Sequence, residues 1–175
     1  MRATNPHPEL DPEIRKTVGE AMGRLPSGLF VLTAAQDDSR MGIIVSFVQQ
    51  ACLNPPMVTV AIAKGRPIMP LISESRQFGL CQLAENDRLM VKKFAKFNDA
   101  AVTEDPFLGF EMMSGGVLAK LPILKNTLAY LECELVSHMD IEGDHDLFVG
   151  AVRGGALRQA KTPPHIRLRD SGQDY

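Results

Sequence analysis

From Leu131 to Ile141 the chain alternates: Leu131, Cys133, Leu135, Met139 and Ile141 share one side of a period of two, and Glu132, Glu134, His138 and Asp140 share the other. Only an extended strand places residues i and i+2 on one face, so this segment predicts a half-buried antiparallel strand. Glu142-Gly143-Asp144 then turns the chain into a second apolar run, Leu147 to Val152. The same grammar recurs upstream. Leu29 to Ala35 is β-rich, Gln36 to Ser39 is a polar turn, and Met41 to Val48 returns, which reads as another hairpin. Met57 to Ala63 is a further strand, opened by Pro55-Pro56, which cannot donate to a central ladder and must lie at its mouth. Phe78 to Leu83 is one more.

Helices are inserted between these runs rather than alternating with them. Asp11 and Pro12 open one, with Ile14, Val18, Met22 and Leu25 at helical spacing and Pro26-Ser27-Gly28 closing it. Pro67 to Ser75 is a short second helix, and Asp87 to Phe97 a third, capped by Asp87. Asn98 to Lys120, with Gly109, Gly115 and Gly116, reads as a long surface excursion. This pattern predicts a mainly β protein, a Greek-key β-barrel with peripheral helices, with an open α/β sheet as the alternative. The 175 residues suit a single domain, with a core at about 12–155 and peripheral tails at 1–11 and 156–175.

Composition narrows the function classes. With 19 basic and 21 acidic residues the formal net charge is −2, which gives no electrostatic reason to expect a nucleic acid or an anionic membrane as partner. The longest apolar stretch, Met57 to Ala63, is far short of the ~20 residues a membrane helix needs, and the first nine residues lack the apolar core of a secretory signal. Cys52, Cys81 and Cys133 are isolated and odd in number, as expected of reduced thiols in a cytoplasmic protein. His7, His138, His145 and His165 are scattered, so no metal site is expected. Phosphate-loop, dinucleotide-fold, zinc-protease and serine-hydrolase motifs are absent.

One segment carries chemical character of its own. From Gly42 to Pro56 an apolar strand runs into Ser46, Gln49, Gln50, Cys52 and Asn54 and stops at the double proline. Short hydrogen-bonding side chains and backbone N–H groups at one spot suit a planar heteroaromatic ligand with a polar edge. A plain strand end facing solvent is the competing reading.

Five stretches in order resemble the flavin reductase-like, FMN-binding split-barrel family, and in particular the flavin reductase module of flavodiiron proteins. They are Gly23 to Thr33, Ser46 to Pro56, Val60 to Arg66, Leu128 to Cys133 and Gly143 to Leu147. The resemblance implies a six-stranded split barrel, a homodimer, non-covalent FMN (or FAD) near the dimer interface, and reduction by NADH or NADPH. It implies a flavin ring against Ser46, Phe47, Val48, Gln49, Gln50 and Cys52, with Cys81, Gln82 and Leu83 facing it as well. The phosphate would fall to the segment Ala63, Lys64, Gly65, Arg66, where a guanidinium could grip bidentately and an ammonium act as a point charge. Both are alternatively solvated charges at a strand end. Phe94, on a helix with Lys92, Lys93 and Lys96, is a cofactor contact or core. His145, flanked by Asp144 and Asp146, would lie over the flavin and meet nicotinamide, or else simply orient its turn, while His138 would be merely exposed. The sequence departs from the family pattern at Ile44 or Val45 and at Cys52, where members often carry threonine or serine.

Such a protein needs few reactive side chains, because hydride acceptance belongs to the cofactor. The expected activity is NAD(P)H-dependent flavin reduction supplying an oxygenase or another redox partner. The alternatives are an electron carrier of flavoredoxin type and a flavin-free binding barrel.

Overall fold

The computed structural model describes residues 9–96 and 104–173. In chain order the elements are α1 (Pro12–Gly23), β1 (Ser27–Gly28), β2 (Phe30–Gln36), β3 (Ser39–Val45), β4 (Val48–Leu53), β5 (Pro56–Ala63), α2 (Ile68–Ser75), β6 (Gln77–Gln82), α3 (Arg88–Lys96), β7 (Met112–Ser114), β8 (Pro122–Leu124), β9 (Ala129–Asp140), β10 (His145–Leu157) and β11 (Ile166–Arg167). Residues 1–8 of the lead-in, Phe97 and part of the predicted surface excursion lie outside the described residues.

The main sheet is antiparallel, with order β3-β2-β6-β9-β10-β5-β4. Its two end strands are consecutive in the chain, separated only by Ser46 and Phe47. The sheet therefore closes on itself: the chain leaves β2 as β3, crosses the gap at Ser46–Phe47, and joins β5 as β4, with Ala61 N–H donating to Phe47 O at 3.0 Å. Counting β3 and β4 as one bent strand gives six around the barrel, the expected split-barrel architecture. The predicted second run ends within this joint. Its polar continuation at 48–53 is a strand in its own right, at the edge and largely exposed.

Two apolar cores flank β2 and β6. The barrel interior holds Leu32, Ile43, Val60, Phe78, Leu80 and Phe148, plugged by Ile68 and Ile72 of α2. Outside it, Val31, Cys81, Leu83, Met90, Phe94 and Phe107 pack under α3 and the β7–β8 hairpin. Strands buried on both faces lose the simple alternation of β9.

Three expectations change. The alternation of β9 breaks at a bulge, where Val149 pairs Ser137 but Gly150 pairs Leu135, so Val136 is the extra residue. A bulge swaps the faces of everything beyond it. Met139 and Ile141, expected to be buried, are therefore 41% and 51% exposed, and His138 turns onto Phe148. Second, α1 forms as predicted, with Asp11 Oδ1 accepting from Glu13 N–H at 2.9 Å, but it buries Gly19 and Gly23 and leaves Ile14 and Met22 exposed. Third, the segment beyond Gly155, expected to be a peripheral tail, docks. β11 pairs with β1, Leu29 N–H donates to His165 O, and His165 N–H donates to Leu83 O. Arg169 N–H and Gly172 N–H then donate to Gly23 O and Gly19 O of α1.

Candidate functional site

The gap in the barrel is also where a cleft opens. A cavity of about 420 Å³ lies over Ser46 and Phe47, within the roughly 300–1,000 Å³ usual for small-molecule sites. One wall is the β3–β4 joint and β4 itself, with Ser46, Phe47, Val48 and Gln49, and its floor is Thr59 and Ala61 of β5 with Leu147 of β10. The opposite wall is Met22, Leu25, Pro26 and Ser27, completed by Arg169 from the C-terminal strap. Most of this lining is apolar, and Ser27 Oγ on it is buried without a hydrogen-bond partner among the described residues. A buried hydroxyl left unpaired costs on the order of 1–3 kcal/mol, so its place in a cleft wall marks a point where a ligand can bond. β4 is a sheet edge and contributes backbone donors and acceptors on its unpaired side. Apolar walls with a few polar points suit a planar ring system with a polar edge.

On the other side of the joint a narrower pocket is lined by Ile43 to Phe47, Ala61 to Ala63 and Arg66. Ser46, Phe47 and Ala61 thus serve both spaces. Gly65 sits at φ +80°, in the tight turn that follows β5 and precedes Arg66.

Phe47 is the hub. The His145 ring lies 5.5 Å from it, tilted by 55°, and the Arg169 guanidinium lies 5.0 Å from its centroid. His145 is largely buried, and its Nδ1 is 2.8 Å from Asp144 Oδ1. That hydrogen bond, and to a lesser extent the charge of the ring, holds the Asp144 carboxyl below its ordinary range against the opposing effect of burial.

The other candidate residues distribute as follows. Asp146, which the sequence sets beside His145, turns the other way: its Oδ2 is 2.9 Å from His138 Nε2, and His138 stacks on Phe148 at 4.2 Å. His138 is exposed, as expected, but it is also paired and stacked, which follows from the bulge at Val136. Lys64 Nζ lies 2.6 Å from Asp140 Oδ1 and 3.7 Å from Asp146 Oδ1. Its hydrogen bond to Asp140 raises its pKa, and the lysine stitches the end of β5 to the β9–β10 hairpin rather than lining the cleft. Gln50 and Cys52 follow along the edge strand beyond the cleft lining. Cys81, Leu83 and Phe94 do not reach the cleft. They are fully buried in the outer core, because their strand and helix turn these side chains away from the barrel gap, and burial pushes the Cys81 thiol up to about 12. Gln82 is half-buried at the end of β6, its carbonyl accepting from Leu128 N–H. Ser27, Leu147 and Arg169 line the candidate cleft and were not among the residues expected from the sequence. Pro26-Ser27-Gly28 was legible as punctuation, whereas nothing local marks Arg169.

Among the described residues no cluster of three or more His, Cys, Asp or Glu is placed to hold a metal ion, and no helix is long and apolar enough to cross a membrane. The sequence family described as flavin reductase like domain matches residues 22–171. Diflavin flavoprotein A 1 of Synechocystis sp. is 34% identical over 168 residues, covering 95% of this chain and 28% of that protein, so the chain spans about a quarter of such relatives. Among solved structures, an NADH:FAD oxidoreductase of Streptomyces globisporus superposes with a TM-score of 0.76 at 20% identity, covering 98% of this chain and 91% of that one. The styrene monooxygenase flavin reductase of Pseudomonas putida S12 gives a TM-score of 0.71 at 26% identity, covering 85% and 90%. A mainly β barrel closed at Ser46–Phe47, with its cleft at that joint, and a sequence match across nearly the whole described chain agree: the chain belongs to the flavin reductase-like domain family.

Proposed function

We propose that the protein is an oxidoreductase that passes hydride from NADH or NADPH to FMN, with FAD as the alternative flavin. The observation that carries this reading is the cleft itself, a largely apolar slot over Phe47 whose buried Ser27 hydroxyl has no partner among the described residues. Bound flavin supplies the hydride-accepting chemistry. The chain's own work is to position and to exclude water: Phe47, Val48 and Leu147 offer apolar contact, and Ser27, Ser46 and the edge of β4 offer hydrogen bonds to the polar rim. His145, fixed by Asp144 against Phe47, orients the nicotinamide. Of the two basic residues after β5, Arg66, beside Ser46 in the narrower pocket, is better placed to meet a phosphate than Lys64, which is engaged by two carboxylates.

The working unit is a homodimer. β4 is an exposed sheet edge that ends in Leu53, 83% exposed, and a second copy covering it would also complete the open side of the cleft. The electrons go on to an oxygenase or another redox protein, as the name of the styrene monooxygenase relative suggests.

Anaerobic mixing of the protein and FMN with NADH, and separately with NADPH, tests the reading. Bleaching of the flavin absorbance on a turnover timescale is expected with at least one of them, and absence of bleaching with both overturns it in favour of an electron carrier. His145→Ala should slow bleaching at limiting nicotinamide about tenfold while leaving FMN binding unchanged.

A further inference from the structure

The C-terminal strap brings a cation to the cleft. Arg169 is the one ionisable side chain among the described residues that line it, and its guanidinium lies over the Phe47 ring. The backbone beneath it is fixed at two points: Arg169 N–H donates to Gly23 O at 3.0 Å and Gly172 N–H to Gly19 O at 2.6 Å. The strap runs so close to α1 that a Cβ on Gly23 would stand 2.4 Å from Arg169 O. A planar cation stacked on an aromatic face and anchored through its own backbone is preorganised to meet an anion, and its fork matches the oxygens of a phosphate. Neither basic residue of the turn after β5 lines this cleft. Lys64 is held by Asp140, and Arg66 opens on the narrower pocket.

We propose that Arg169 binds the phosphate or diphosphate group of a nucleotide ligand held in the Ser46–Phe47 cleft, as a positioning residue. This rests on the reading of that cleft as a flavin and nicotinamide site. Two ligands there carry the same chemistry, the flavin mononucleotide and the nicotinamide dinucleotide.

The test crosses Arg169→Ala and Arg169→Lys with removal of the phosphate from the ligand. Dissociation constants are measured for FMN against riboflavin by flavin fluorescence, and for ADP-ribose against adenosine by calorimetry. Arg169→Ala should weaken at least one phosphate-bearing ligand by about tenfold to a hundredfold and leave its phosphate-free counterpart within about twofold, with Arg169→Lys in between. The pair that responds identifies the source of the phosphate. The proposal is overturned if neither ratio moves, if both members of each pair weaken together as a merely structural role would require, or if the unmodified protein binds neither phosphate-bearing ligand. Flat ratios in a protein that NADH bleaches sink Arg169 alone, and responsive ratios in a protein that never bleaches sink the reductase reading alone.

Discussion

Glu132 is a carboxylate at 1% exposure whose oxygens accept from three successive backbone N–H groups, Gly116 at 2.8 Å, Val117 at 2.9 Å and Leu118 at 2.7 Å. A turn of N–H groups converges on this carboxylate, which has no cationic partner among the described residues, as in the anion-binding nests of other loops. The loop fits tightly, and a Cβ on Gly115 would stand 2.6 Å from Glu132 Oε2. Replacing the carboxylate with an amide turns one acceptor into a donor that faces donors. Glu132→Gln should therefore cost about 2–3 kcal/mol, read as a lower denaturant midpoint at unchanged slope; an unchanged midpoint would show that the loop is held by its apolar contacts instead.

Among the elements, the β9–β10 hairpin ties the site together. Its turn end is bound by Lys64 to Asp140 and by Asp144 to His145. Lys64 donates a hydrogen bond to Asp140 and so lowers its carboxyl, and His145 does the same for Asp144. A carboxyl depressed in the folded state stabilises the fold above its unfolded value of about 3.9, and that contribution is lost as pH falls through the lower folded value. Lys64, raised in the folded state, contributes fully below its unfolded value of about 10.4 and loses the contribution as pH rises through the folded one. The Lys64–Asp140 bridge should thus hold from about pH 5 to 9 and loosen outside that range. Amide exchange at Lys64, whose N–H bonds Asp144 O at 2.9 Å, reads this directly; a change near neutrality would point to a histidine instead.

Much of this hairpin was legible. The period of two gave β9, and Glu142-Gly143-Asp144 gave the turn. The bulge at Val136 was not, because one extra residue leaves no mark in composition yet reverses which side chains face inward, so Met139 and Ile141 became exposed and His138 came to lie on Phe148. β4 was obscured because an exposed edge strand needs no apolar face. Ser46, Phe47, Val48 and Gln49, which line the candidate cleft, were singled out through a resemblance rather than through periodicity. Cys81 and Leu83 join the outer core rather than the cleft because a strand buried on both faces gives no hint of which core each residue joins, and Phe94 on α3 takes the core alternative.

For the whole molecule, the two chain ends depend on one another. α1 has 12 residues, and helices that short are marginal in water without tertiary support. Its apolar residues Ile14 and Met22 are exposed, and the two residues it buries are Gly19 and Gly23, which lie against Ser171, Gln173 and the Arg169 carbonyl. Arg15 Nε adds a 2.9 Å bond to Gln173 Oε1. The strap in turn leaves the barrel through β11 and is held at its far end by α1. Removing residues 165–175 should therefore release α1 along with the strap, while the barrel keeps every ladder between β2 and β10. Hydrogen exchange on the shortened chain should show α1 amides losing nearly all protection and β6 and β9 amides retaining theirs, with a reduced helical signal in circular dichroism. Protected α1 amides in that chain would mean that the helix is stabilised from elsewhere, and a collapse of β6 and β9 protection would mean that His165, bonded to Leu29 and Leu83, is part of the barrel itself.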